Sequence, residues 1–205
     1  MSAIRFRPSL LSVIAVSLSV IIGVVSATLY HETIESRNDR YDVESSIVLQ
    51  LGMSLAEAEV GMEISINDSL HITDRYNSSN QAVAGLETSY WSASALLVMY
   101  DVNREEHRIF QDLEDSLILA KSQYTKCVQE PLWANYTQGT MLSLSEEVLG
   151  SFVNVTHDLD ALRLQSSIFL PTDHPYSKVA LMDLQVVQGA AWDILRNMQD
   201  LETAQ

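Results

Sequence analysis

The sequence predicts an all-α protein: an N-terminal single transmembrane helix followed by an extracytoplasmic antiparallel four-helix bundle with long helices. Three observations carry that expectation. Residues 8–31 hold no Asp, Glu, Lys or Arg. Beyond them, apolar residues recur at three- and four-residue spacing, as on a helix with one buried stripe. Only six glycines follow the apolar segment, and alternating β-branched runs are scarce.

The segment "PSLLSVIAVSLSVIIGVVSATLYH" is long enough to cross roughly 30 Å of hydrocarbon as a helix. Helix is also the form in which its backbone amides pair within the segment. The expected division is 1–8 as a short cytoplasmic tail, 9–30 as a transmembrane signal-anchor helix and 31–205 as the bundle, with the lipid bilayer as partner of 9–30. The rival reading is a cleaved signal peptide, with Arg5 and Arg7 as the basic region and Val25-Ser26-Ala27 as the cleavage site. Its apolar region, 10–25, exceeds the usual ~7–15 residues, which favours an uncleaved anchor.

Arg5 and Arg7 on one side face Arg37 and Arg40 on the other, so basic residues alone do not orient the span. A second signal does. Four of the eight Asn residues, Asn67, Asn77, Asn135 and Asn154, open Asn-x-Ser/Thr triplets, against about 1.4 expected by chance at this Ser and Thr content. These are candidate N-glycosylation sites and acceptors only outside the cytosol. The expected protein therefore sits in the cell membrane, N-terminus inside, bulk of the chain outside.

Helix one, about 32–66, places Tyr41, Val48, Leu55 and Met62 seven apart, with Leu51 and Ala58 between them. "INDSLHITDRYNSSN" then reads as a break. Helix two, about 81–128, carries Val83, Leu86, Tyr90, Ala93, Leu97 and Tyr100. It resumes with Phe110, Leu113, Leu117, Ala120 and Tyr124 after the polar passage "NREEHR". Pro131 is expected to close it. Helix three runs through Met141, Leu144, Val148, Phe152, Val155, Leu159 and Leu162 to near Phe169, with capping-box spacing from Ser143 to Glu146. Helix four starts beside Pro175 and carries Ala180, Leu184, Val187, Ala191, Ile194, Met198 and Leu201. Three of the sequons, Asn67, Asn77 and Asn135, fall in expected breaks, and Asn154 on the outer face of helix three. An even number of helices would return the C-terminus towards the base of helix one. The chain is expected to cross the membrane once and end outside.

Beyond the anchor lie all 27 acidic residues and 10 of the 12 basic ones, a balance of −17. Such a surface repels nucleic acid and suits a solvated exterior domain. The single cysteine, Cys127, excludes an intrachain disulfide framework and is expected as a buried thiol. None of the five histidines has a Glu three residues before it, so the pairs that build di-iron sites in bundles are missing. No phosphate loop, nucleophile elbow or dinucleotide fingerprint occurs. No catalytic residue, metal or cofactor is expected, and the protein is read as a non-enzyme.

Three residues invite a binding role. Arg104 and His107, in "REEHR", interrupt the stripe of helix two and are candidates for a polar ligand pocket, against the plainer reading of stripe drift. Trp133, in "PLWANYT", is a candidate exposed contact; Trp91 and Trp192, inside apolar helices, are expected in the core. The expected function is that of an interaction, assembly or accessory subunit at the cell surface, with a protein partner or a homo-oligomer. The alternative is a ligand-binding sensor. In architecture the domain resembles the extracytoplasmic four-helix bundles of bacterial and archaeal chemoreceptors and sensor kinases. That resemblance implies a ligand-binding ectodomain, here without its own cytoplasmic signalling part.

Overall fold

A computed structural model describes residues 37–167 and 183–204 of this chain. The expected tail and anchor, 1–8 and 9–30, and the expected opening of the last helix lie outside the described residues. Among the described residues all regular structure is helical, and no helix is long and apolar enough to cross a membrane. The chain divides into Met1–Asp42 and Val43–Gln205; the packing below belongs to the second unit.

The helices are α1 (Arg37–Ile66), α2 (Ile72–Met99), α3 (Glu105–Tyr124), α4 (Glu130–Gln138), α5 (Glu146–Ser167) and α6 (Leu184–Thr203). A π turn, Thr125–Gln129, joins α3 to α4. Most of the expected stripe positions among the described residues are in the core, while Tyr41 and Ala180 lie outside those whose side chains are described. Val48, Leu51, Leu55, Ala58 and Met62 of α1 are buried, as are Phe110, Leu113, Leu117, Ala120 and Tyr124 of α3. Phe152, Val155, Leu159 and Leu162 of α5 meet Val187, Ala191, Ile194, Met198 and Leu201 of α6 in the same core. Burying each large side chain is worth about 1.5–3 kcal/mol, which is why the stripe directs the packing.

The expected single helix two is two helices. Tyr100 is extended (φ −110°, ψ 144°), and the Asp101 carboxylate accepts from Asn103 N at 3.1 Å. This short-range bond offers the backbone a turn in place of another helical step. Helix also begins earlier than expected: His71 Nδ1 accepts from Thr73 N at 3.3 Å and caps α2. Asn77 therefore lies within α2.

Pro131 does not close the run. Its missing N–H would orphan a carbonyl in an α-helix. The π turn widens the ladder just before it, with Glu130 N–H donating to Thr125 O, and the helix continues to Gln138. Gly139, at φ 67°, ends it: Thr140 N–H reaches Asn135 O at 2.9 Å. Asn135 is thus helical too. Helix three starts later than its capping-box spacing suggests, because Ser145 caps α5 through Oγ to Val148 N (3.3 Å), while Ser143 bonds Asp68. Met141, expected in the stripe, is 60% exposed ahead of that cap.

The extra break makes an odd number of rods among the described residues, with α3, the π turn and α4 counted as one. Tyr100 OH bonds Glu44 at one end of the bundle. At the other, Tyr124 OH lies 2.6 Å from Ser65 Oγ and its ring meets Phe152 edge-on. Asn197 of α6 bonds Asn154, next to Phe152. The last helix therefore finishes towards the α1–α2 turn, the reverse of the expected return to the base of helix one.

Candidate functional site

The end of the bundle beside the α1–α2 turn gathers most of the polar and aromatic organisation. At its centre is Arg75, fully buried. Its Nε donates to Ser65 O at 2.8 Å and its Nη1 to Leu142 O at 2.6 Å. Its Nη2 lies 2.7 Å from Asp68 Oδ1, an ion pair off the angle of a hydrogen bond. One guanidinium thus ties the end of α1, the following turn and the α4–α5 linker. Burial first, against the pull of the Ser65 hydroxyl and Arg75, pushes the Tyr124 phenol up, so it stays neutral. The sequence held a signal for this residue: Ile72, Arg75, Ser79, Ala82 and Leu86 continue the inward stripe, with an arginine in a core position.

On the surface of the same end sits an aromatic cluster. The Tyr76 ring is 5.1 Å from Trp133 and stacks on Tyr136 at 5.0 Å; Trp133 and Tyr136 are 5.9 Å apart. Trp133 is 50% exposed, and Tyr136 is exposed beside it. Trp91 and Trp192, expected in the core, are each 51% exposed. Trp91 rests edge-on against Tyr90, and Trp192 Nε1 donates to Asp112 Oδ2 at 3.0 Å across α6 and α3. An indole buried whole would have to satisfy its N–H inside, whereas at the boundary it keeps both an apolar bed and a polar partner.

Arg104 and His107 come to the α2–α3 turn and not to a shared pocket. Arg104 is exposed at the N-cap of α3, with no side-chain cap bond. The half-buried His107 ring places Nδ1 3.2 Å from both Leu97 O and Tyr100 O, covering the last carbonyls of α2. The sequons separate by context. Asn67 lies exposed in the α1–α2 turn, its Oδ1 accepting from Ser69 N (3.0 Å) and Ser69 Oγ (2.6 Å). Asn77 and Asn154 are exposed on helices and Asn135 is half-buried on one. Cys127 is buried in the π turn, Sγ 3.9 Å from Gln123 Oε1.

A polar cleft of about 220 Å³ opens between α5 and α6. Asn154, His157 and Asp158 face Asp193, Arg196 and Asn197 across it. Asp158 is pushed up to about 6, first by burial and then by the Asp193 carboxylate, with His157 opposing. Among the described residues no three His, Cys, Asp or Glu side chains converge to hold a metal ion.

No protein-family model, curated protein or solved structure matches this chain. The class that fold and site define is an all-α helical bundle with an aromatic cluster at one end.

Proposed function

We propose that this chain is a single-pass protein of the cell membrane, anchored by residues 9–30, whose extracytoplasmic bundle serves as a non-enzymatic interaction, assembly or accessory subunit. The observation that carries the proposal is the ring cluster Tyr76, Trp133 and Tyr136, left at the surface over a filled core. Rigid aromatics with one face uncovered are the side chains that anchor protein interfaces. The arrangement of Arg104 and His107 supports the same reading, since one faces solvent and the other is spent on helix carbonyls. In this reading Asn67 is the sequon best presented for glycosylation, being exposed in a turn.

A ligand-binding sensor is favoured by one feature only, the α5–α6 cleft, whose carboxylates suit a small cationic ligand. Native mass spectrometry on protein extracted in mild detergent from its own membranes tests both readings. A subunit beginning near Met1, with a co-purifying protein that is lost in Trp133→Ala/Tyr136→Ala, is the expected result. A subunit beginning at Thr28 overturns the anchor, and a small-molecule adduct without a protein partner overturns the assembly reading.

A further inference from the structure

Helix α1 has a second apolar seam that the other described helices leave exposed. Leu49, Met53, Ala56 and Val60 are spaced four, three and four residues apart, the a/d spacing of a helix that packs on another helix. At 100° per residue they share a stripe about 160° round from the buried one. Leu51, Leu55, Ala58 and Met62 are 0% exposed, whereas Leu49, Met53 and Val60 are 45, 62 and 45% exposed. A surface helix of a bundle needs one apolar stripe, and this one carries two.

The flanks of the outer seam are of one sign. Residues 43–66 contain four glutamates and no Lys or Arg. Two of them are engaged: Glu59 accepts from Arg163 at 2.9 Å and Glu44 from Tyr100. The exposed Glu57 and Glu63 border the seam on opposite edges, and among the described residues no cation pairs with either. Beside Leu49 and Met53 a shallow groove of about 320 Å³ runs to Ser54 and Thr88, wide enough for an incoming side chain.

We propose that the outer seam of α1 docks an amphipathic helix of another protein, apolar along one stripe and lysine- or arginine-rich on its flanks. This rests on the interaction reading above and names the chemistry of a partner. Seam and flanks together select it. Interlocking apolar residues supply the attraction, and basic residues at the flanking positions meet Glu57 and Glu63, the pairing that sets partner choice between helices. A second copy of this chain would bring the same glutamates and a net charge of −15 to its own image. Leu49 to Val60 rises about 17 Å, so about three turns of the partner engage.

The test titrates the full chain, in mild detergent, with two synthetic three-heptad helical peptides carrying Leu at a and d. One has Lys at e and g, the other Glu. Fluorescence anisotropy is expected to show the Lys peptide binding at least tenfold more tightly than the Glu peptide, and weakening at least tenfold on Met53→Asp. The added carboxylate would strengthen a purely Coulombic attraction, so unchanged or tighter binding by this variant overturns the seam as the docking site. Equal binding of the two peptides overturns the charge assignment. Sedimentation of the chain alone, if it shows a dimer that Met53→Asp dissociates, makes a second copy the occupant and overturns the proposal. The aromatic cluster is intact throughout, so failure here leaves the native-mass experiment to judge the broader reading separately.

Discussion

Two helix seams in this bundle are built on opposite terms. Between α1 and α2 the backbones touch. A Cβ on Gly61 would lie 2.6 Å from Ala82 N and 2.7 Å from Ser78 O, and one on Gly85 would lie 2.6 Å from Ala58 N and 2.7 Å from Ser54 O. The octet Ser54-x3-Ala58-x2-Gly61 and the octet Ser78-x3-Ala82-x2-Gly85 are the same pattern run in opposite directions. Each helix thus offers the other its smallest residues, with Ser89 Oγ donating to Ser54 Oγ at 2.8 Å inside the seam. Between α5 and α6, beside their shared apolar core, polar side chains line an open cleft that brings Asp158 near Asp193. One seam gains stability from proximity; the other leaves a half-buried carboxyl group beside a like charge.

The closed seam tolerates added volume least. Gly85→Ala drives a methyl group into backbone that cannot swing aside, and Gly61→Ala does the same from the other helix. Each is expected to cost about 3 kcal/mol, the upper part of the range for overpacking. Gly150→Ala, where nothing lies within 4 Å of the new methyl, supplies the control, and the gain in helix propensity makes it neutral or mildly stabilising. Thermal unfolding followed by circular dichroism reads all three. Equal melting of Gly85→Ala and Gly150→Ala would mean that the seam is looser than its geometry.

Arg75 closes the end of that same seam. Arg75→Met keeps the length and apolar stem but removes the donors to Ser65 O and Leu142 O. With Asp68 partly exposed, the main loss is two charge-assisted bonds in a dry site, an expected cost of about 2 kcal/mol in chemical denaturation. Limited proteolysis is expected to cut the α4–α5 linker faster in this variant, because Leu142 loses its tie.

How much of this was legible follows from what each feature depends on. The inward stripes depend on apolar residues at helical period, and among the described residues from Val48 to Leu201 they lie in the core or against it, Met141 excepted. The break at residues 100–104 depends on one Asp and one Asn forming a local turn, and the polar run NREEHR that follows reads equally as the solvated face of a continuing helix. Pro131 misleads because the π turn that absorbs it has no pattern of its own. Trp91 and Trp192 lie among apolar neighbours in sequence, yet at 100° per residue each is roughly 130° round from its helix's inward stripe, so the period itself marks them for the boundary. The repeated Ser-Ala-Gly octet was present in plain letters, but small residues carry no hydropathy contrast. Arg75 lay inside a stretch whose Asn and Ser content reads as loop.

The open seam is sharpened by pH. Asp158 binds its proton more tightly folded, at about 6, than an unfolded aspartate does at ~3.9. The native state therefore gains stability as pH falls through 6 towards 4, and loses that gain at neutral pH. Asp158→Asn is expected to stabilise the chain at pH 7, on the order of 1 kcal/mol once solvent screening of this half-buried group is allowed for. The difference between the two proteins should shrink at pH 5. A constant difference from pH 5 to 7 would show that the cleft is open enough for water to relax the carboxylate fully.

The smallest expected effect lies in neither seam. Arg104 is exposed and makes no side-chain cap bond, while its neighbour His107 holds the carbonyls of Leu97 and Tyr100. Arg104→Ala is expected to change stability by less than about 0.5 kcal/mol. His107→Ala should cost more, about 1 kcal/mol, because it uncovers the end of α2. If Arg104→Ala instead costs as much as Gly85→Ala, the α2–α3 turn is a third packed junction, and the division between a closed seam and an open one is too simple. If both variants behave as expected, residues that interrupt an apolar stripe here mark where a helix stops.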